Sequence, residues 1–149
     1  MEIKVRKIDG EEREYIEIGC HAEDSRVRSI VRYVKSLDGS VSGSKGERIY
    51  EIPVVDIFYI ESVDDHTFIY TCKDSFETNL KLYEFEELLK DKGYLRISKS
   101  VILNIMKADS IKPALNGRFL CKLTNGEEVI ISRKYVSEFR SFISRRTGK

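Results

Sequence analysis

Residues that bind metals or close disulfides are scarce in this sequence. Its three cysteines, Cys20, Cys72 and Cys121, are widely spaced and odd in number, and only His21 and His66 could join them in a metal site. Zinc ligands usually come in close pairs, and the sequence has no Cys-x-x-Cys pair. We therefore predict three reduced, buried cysteines that behave as small apolar side chains, with no bound metal or cofactor.

Long apolar runs are also missing. None approaches the roughly 20 residues of a membrane-spanning helix. The first residues alternate charged with aliphatic side chains instead of forming an apolar signal core. With 149 residues, 41% of them hydrophobic and 34% charged, the chain is long enough for one compact domain, or one domain with a small extension. We predict a cytoplasmic protein without membrane insertion.

Catalytic motifs are lacking as well. The sequence has no nucleophile elbow, no Gly-rich phosphate loop and no His-Glu-x-x-His. Asp64, Asp65 and His66 could provide a general base with acidic neighbours, and Ser98 or Ser100 could provide a nucleophile. Nothing else in the sequence supports such a site, and Asp64 with Asp65 is typical of a solvated turn. We predict that the protein is not an enzyme.

Charge is distributed unevenly along the chain, although the net charge is only +1. Residues 1–48 carry ten basic and ten acidic side chains, residues 49–91 carry three and eleven, and residues 92–149 carry thirteen and four. The basic last segment is a candidate footprint for nucleic acid. The same pattern would arise if the acidic and basic segments pair as neighbouring strands, and charge alone does not separate these interpretations.

Residues 1–47 have the pattern of a strand-strand-helix extension. Aliphatic side chains at positions 3, 5 and 8 predict one strand, and the β-branched stretch 15–20 predicts another. Asp24 and Ser25 offer N-cap chemistry for a helix that ends at Gly39. Its apolar side chains are Val27, Ile30, Val31, Val34 and Leu37. We expect this extension to serve self-association, or its helix to pack against its own two strands.

Short strands predominate beyond a stretch rich in glycine and serine. Residues 38–47 predict a linker or loop. For residues 48–149 we predict an α+β, mostly β domain of antiparallel sheets with short helices. The predicted strands cover residues 48–52, 55–61, 67–72, 76–82, 107–112, 117–123 and 129–131, with an Asn125-Gly126 hairpin before the last. One short helix is predicted near residues 85–89, and another follows Ser132.

The stretch 96–104, Arg-Ile-Ser-Lys-Ser-Val-Ile-Leu-Asn, places a lysine where a strand should bury an apolar side chain. Ile97, Val101 and Leu103 share one parity, and Lys99 has that parity too. A buried unpaired ammonium is not tolerated in a core, so the strand must break or bulge near residues 98–100. In both cases Lys99 reaches the surface between two serine hydroxyls, where it suits an anionic partner.

A second cationic site is predicted at the start of the last helix. If Ser132 caps this helix, Arg133 and Lys134 occupy its first turn, where the helix dipole disfavours positive charge. An anion bound there would reverse that effect. Backbone N–H groups at a helix start and two cationic side chains together make a good phosphate site.

Residues 49–146 resemble the LytTR family of DNA-binding domains. The resemblance rests on five segments in the family's order: residues 57–62 (Ile-Phe-Tyr-Ile-Glu-Ser) with a histidine in the loop that follows, 82–89 (Leu-Tyr-Glu-Phe-Glu-Glu-Leu-Leu), 96–104, the Asn125-Gly126 hairpin and 132–135 (Ser-Arg-Lys-Tyr). The family fold is an elongated set of small antiparallel β-sheets with little helix. Its members are transcription factors that insert loop side chains, rather than a recognition helix, into successive major grooves of DNA repeats.

The resemblance implies one DNA contact from each of three loops. His66 would be the contact from the first loop and Lys99 the contact from the middle loop, while Arg133 and Lys134 would supply the third. Lysine suits phosphate or guanine O6 and N7 better than the adenine edge that an asparagine would favour. The preferred base can therefore differ from that of family members with asparagine at the middle position.

Two neighbours of Lys99 are further candidate DNA-binding residues. Ser100 offers a hydroxyl beside the lysine. Arg96 could contact a phosphate, or it could form an ion pair with the acidic segment, and the sequence leaves both alternatives open.

The resemblance also implies partners for this chain. We expect a homodimer on double-stranded DNA that carries promoter repeats, and a regulatory protein as a further partner. LytTR domains often follow a phosphoacceptor receiver domain, and residues 1–47 are too short for one, so we expect a stand-alone regulator. The alternative function is a non-enzymatic protein-interaction or ligand-sensing module whose basic surface meets an acidic partner.

Overall fold

The computed structural model describes residues 1–147, with side chains as far as residue 143, and this part of the chain contains ten strands and three α-helices. The helices are α1 (Ser25–Ser36), α2 (Leu82–Leu88) and α3 (Arg133–Thr147). The strands are β1 (Ser40–Lys45), β2 (Arg48–Pro53), β3 (Tyr59–Val63), β4 (His66–Tyr70), β5 (Ser75–Thr78), β6 (Tyr94–Arg96), β7 (Val101–Asn104), β8 (Ala108–Pro113), β9 (Phe119–Leu123) and β10 (Glu128–Ile131).

The strands form two antiparallel sheets. The larger has seven strands in the order β2-β1-β5-β4-β3-β7-β6, and the smaller has the order β10-β9-β8. The predicted α+β, mostly β, antiparallel fold is therefore confirmed. The predicted Asn-Gly hairpin is also found, because β9 and β10 pair on either side of Gly126, which has a positive φ of 92°.

Two apolar cores share strand β7. The first core lies against α2, whose Phe85 is fully buried, and the second includes Phe139 of α3. Because successive side chains of a strand point to opposite faces, Ile102 packs in the first core and Leu103 in the second. Hydrophobic burial on both faces fixes β7, although this strand lies second from the edge of the larger sheet.

A buried asparagine closes the junction after β7. The Asn104 side chain donates from Nδ2 to Ile57 O at 2.8 Å and to the Tyr94 hydroxyl at 3.3 Å, and its Oδ1 accepts from Met106 N at 3.0 Å. The Tyr94 hydroxyl in turn donates to Val54 O. Burial raises the pKa of Tyr94 well above its ordinary value. These bonds satisfy polar groups that would otherwise be costly to bury.

The glycine and serine stretch after α1 is a strand, so the linker predicted at residues 38–47 is wrong. β1 pairs with β2 along its length and with β5 at Ser44 and Glu77. Its small side chains have specific contacts. Ser42 Oγ donates to the Glu51 carboxylate, Ser40 Oγ donates to its Oε2 at 2.9 Å, and these two bonds lower the pKa of Glu51.

The two strands predicted at residues 3–8 and 15–20 are also wrong, because residues 1–24 form neither helix nor strand. The predicted helix after them is confirmed as α1. Asp24 caps it by accepting from Val27 N at 3.0 Å, and Gly39 follows with a positive φ of 93°. An ion pair of 2.9 Å between Lys35 and Asp56 ties α1 to the rest of the domain.

Two of the three cysteines differ from their prediction. Cys121 is buried in the second core, as expected, and burial raises the pKa of its thiol to about 11. Cys20 and Cys72 are exposed, because they lie in irregular segments outside both cores. Within residues 1–147 no helix is long and apolar enough to span a membrane, and the described side chains include no cluster suited to a metal ion.

Candidate nucleic-acid interface

The first predicted contact, His66, lies at the tip of the β3–β4 hairpin. Val63 pairs with His66 across a two-residue turn. Asp64 and Asp65 form this turn with positive φ values of 49° and 66°, the geometry of a type I′ turn that aspartate tolerates. His66 is exposed, and its Nδ1 lies 2.6 Å from Glu77 Oε1 on β5. Because a carboxylate only accepts, Nδ1 carries the proton and Nε2 is left for another partner.

The middle predicted contact, Lys99, lies in a break between β6 and β7. Ile97 is fully buried in the second core, and its N–H donates to Val101 O at 3.0 Å. Residues 98–100 therefore form a short loop, and Lys99 is exposed. The predicted break in the strand is confirmed, and the apolar residues on either side of it anchor the loop.

Arg96, the last residue of β6, holds this loop in place. Its Nε donates to Ser98 O at 3.1 Å, its Nη2 donates to Lys99 O at 2.6 Å, and its Nη1 pairs with Glu86. Ser98 Oγ also accepts from Ser100 N at 3.2 Å. Of the two alternatives that the sequence left open for Arg96, the ion pair with the acidic segment is the one formed in the free protein.

The third predicted position lies at the start of α3, which begins directly after Ser132. Arg133 and Lys134 are both exposed. The aliphatic part of Arg133 covers Gly117, where an added Cβ would come within 2.7 Å of Arg133 Cδ. Gly117 has a positive φ of 76°, so a larger residue there would strain the backbone, and the Arg133 side chain would have to move aside. The Lys134 Nζ lies 5.7 Å from the centre of the Tyr135 ring.

Backbone hydrogen bonds join these three positions in series. Ser62, at the end of β3 beside the first hairpin, donates from its N–H to Ser100 O at 2.8 Å. Ser132 donates to Ile97 O at 2.8 Å. The middle loop is therefore attached to the first hairpin on one side and to the start of α3 on the other.

Sequence reasoning missed Lys81, which belongs to the same surface. An open cavity of about 540 Å³ lies beside the middle loop. Three cations line it, Lys81, Arg96 and Lys99, together with Ser62, Thr67, Leu82, Tyr83 and Ser100. Lys81 Nζ donates to Asp65 O, in the first hairpin, at 3.2 Å. Its charge could have identified Lys81, because it is one of only three basic side chains in the otherwise acidic residues 49–91.

A sequence model of the LytTr DNA-binding domain matches residues 47–144. The chain belongs to the LytTR family. This match covers all three predicted contact positions and Lys81, and the family is one of DNA-binding domains. It favours DNA binding over the alternative of an interaction or sensing module.

Similar proteins agree with this assignment. The chain is 33% identical over 100 residues to the transcriptional regulatory protein YpdB of Escherichia coli; the match covers 66% of this chain but only 41% of YpdB. It is 28% identical over 136 residues to an uncharacterised HTH-type transcriptional regulator of Staphylococcus aureus, covering 90% of this chain and 92% of that protein. The solved LytTr DNA-binding domain of a Bacillus cereus protein matches with a TM-score of 0.66 at 28% identity, covering 70% of this chain and 95% of that domain.

Proposed function

We propose that this LytTR protein is a sequence-specific transcriptional regulator that inserts side chains from three loops into successive major grooves of DNA. The observation that carries this proposal is the series of hydrogen bonds that joins the first hairpin, the middle loop and the start of α3. Each of these segments exposes a side chain suited to an anionic or base-edge partner. Such dispersed contacts can be made together only if the duplex follows the protein surface.

Each loop has its own role in this proposal. His66 reads a base edge or contacts phosphate through Nε2, while Glu77 fixes the ring through Nδ1. Lys99 contacts guanine O6 and N7 or a phosphate. Arg133 and Lys134 supply the third contact, and Arg133 is the better base reader because its planar guanidinium can donate two parallel bonds to guanine.

The cavity beside the middle loop would hold the DNA backbone between the first two grooves. Lys81 and Lys99 bring ammonium groups to this cavity, and the partly exposed Ser62 and Ser100 bring hydroxyls. Phosphate oxygens accept from both kinds of donor. In this arrangement Lys81 positions the duplex without reading sequence, and Arg96 positions the loop without contacting a base.

The test is a fluorescence titration of the full chain against a duplex selected by the protein from a random library. We expect Lys99→Ala and Arg133→Ala to weaken binding by about 1–3 kcal/mol each and to relax the base preference at one position.

Lys81→Ala should weaken binding to all duplexes alike and lower the slope of log K against log salt by about 1. Thermal unfolding of each variant should match that of the original chain.

Lys73→Ala is the matched control, because Lys73 is an exposed lysine near the opposite end of β4 from His66. It should leave affinity for the selected duplex unchanged. Equal binding of selected and random duplexes at physiological salt would contradict the proposal. A loss of thermal stability that parallels the loss of binding would show that the substituted residues are structural.

A further inference from the structure

Residues 1–24 expose large apolar side chains that nothing in the described chain covers. Ile3 is 90% exposed and Val5 is 95% exposed, and Tyr15 and Ile16 are also exposed by more than half. Two apolar side chains of the following helix, Tyr33 and Leu37, are exposed as well. Large apolar side chains gathered in one segment at the surface mark an interaction site.

The backbone of this segment is turned back on itself but is not paired. Glu12 N–H donates to Asp9 O at 3.0 Å, and the Arg6 Nη2 donates to the Tyr15 hydroxyl at 2.8 Å. The stretches before and after the turn therefore lie side by side. Within the described residues, no backbone hydrogen bond joins them. Both stretches thus offer free N–H and C=O groups to a neighbouring strand.

The two stretches have opposite charge. Residues 2–8, here called the basic arm, contain three basic side chains and one acidic side chain. Residues 11–17, the acidic arm, contain four acidic side chains and one basic side chain. An isologous dimer brings the same surface of two copies together around a two-fold axis, so the basic arm of each copy can meet the acidic arm of the other.

We infer that residues 2–17 form a dimer interface with a second copy of this chain, by reciprocal pairing of the basic arm of one copy with the acidic arm of the other. The pairing buries the exposed aliphatic side chains, matches opposite charges and supplies partners to the free backbone groups. It goes beyond the proposed DNA contacts, because none of the residues proposed to contact DNA lies in either arm. Dimer formation is therefore testable without DNA.

The first experiment measures the mass of the full chain by sedimentation equilibrium across a range of protein concentrations. The original chain should be dimeric, and Val5→Asp or Ile16→Asp should raise the dimer dissociation constant roughly tenfold or more. Leu115→Asp is the matched control, because Leu115 is 79% exposed in the turn between β8 and β9 of the three-stranded sheet. This control should dimerise like the original chain.

The second experiment separates pairing between copies from pairing within one copy. Lys4→Glu with Lys7→Glu makes both arms acidic, and Glu14→Lys with Glu17→Lys makes both arms basic. Each double variant should be monomeric alone, whereas an equimolar mixture of the two should form a heterodimer. Arg6 is kept in both variants because it contacts Tyr15 within the chain.

The outcomes decide the inference in either direction. A monomeric original chain at every concentration would overturn it, as would a dimer that survives Val5→Asp and both charge reversals. Two double variants that remain monomeric when mixed would also overturn it. Loss of the dimer in the single variants together with a heterodimer in the mixture supports it. Specific binding of DNA by a monomeric variant would leave the proposed function intact.

Discussion

Two cations three positions apart, Arg96 at the end of β6 and Lys99 in the middle loop, have different roles. Arg96 donates to two carbonyl oxygens of the middle loop and pairs with Glu86. Lys99 is exposed, and its carbonyl is one of the two that Arg96 binds. Arg96 therefore sets the shape of the loop from which Lys99 projects. A lysine could not replace Arg96, because its single ammonium lacks the planar fork of donors.

Arg96→Ala should weaken DNA binding by roughly tenfold or more even though Lys99 is intact, because the loop loses the donors that order its carbonyls. Glu86→Gln should weaken it less, since that pair is partly exposed and both carbonyl bonds remain. A duplex titration measures affinity, and the rate of tryptic cleavage after Lys99 reports the order of the loop. Cleavage should be faster in Arg96→Ala than in Glu86→Gln.

Equal affinity and equal cleavage in the original chain and Arg96→Ala would show that Arg96 does not position the loop. A loss of binding without faster cleavage would instead assign Arg96 to a direct phosphate contact.

At the scale of the elements, strand β1 needs a glycine at position 43 because neighbouring side chains pack closely against it. A Cβ on Gly43 would lie 2.8 Å from Phe76 Cβ and 2.8 Å from Ile52 Cδ1. Glycine in a strand often marks such a close approach. Glycine favours a linker when only the sequence is considered. In the fold, Gly43 leaves room for side chains of β5 and β2 to pack against β1.

Gly43→Ala should lower the free energy of unfolding by about 1–3 kcal/mol, because the added methyl overpacks a site beside a side-chain Cβ that cannot move away freely. Urea unfolding measures the change. Gly19→Ala is the matched control, since a Cβ there meets nothing within 4 Å, and it should change stability little. An equal effect of the two substitutions would contradict the packing argument.

Elements that depend on a few neighbouring residues were predictable from the sequence. The Asp24 cap, the Asn125-Gly126 hairpin and the break around Lys99 each follow from adjacent side chains, and each is confirmed. The predicted strands at residues 3–8 and 15–20 failed because a strand also needs a hydrogen-bonded neighbour, which local propensity does not provide. The Lys81 cavity could not be predicted, since its lining comes from segments that meet only in the folded chain.

At the scale of the whole molecule, most of the basic side chains that the structure describes between residues 92 and 143 form no ion pair. Among the described side chains, one ion pair, Arg96 with Glu86, joins residues 92–149 to the acidic residues 49–91. The uneven charge of the chain is therefore not used mainly to hold its strands together. This favours the interpretation of the basic segment as a footprint for nucleic acid.

Affinity for duplex DNA should consequently fall on the order of a hundredfold between about 50 and 200 mM salt, because each neutralised phosphate releases counterions. Titrations of the selected duplex at several salt concentrations measure the slope. Random duplexes should show a similar slope with weaker binding throughout. An affinity independent of salt would show that the basic segment does not contact the DNA backbone.

The shared strand β7 also bears on how the chain selects one alignment of its strands. Ile102 and Leu103 are both aliphatic, so a shift by one residue would exchange one aliphatic side chain for another between the two cores. Asn104 makes the shifted alignment less favourable than the observed one. A shift would carry its amide away from Ile57 O and into the apolar second core without partners. One buried polar residue thus fixes the register of β7, the strand that anchors the middle loop.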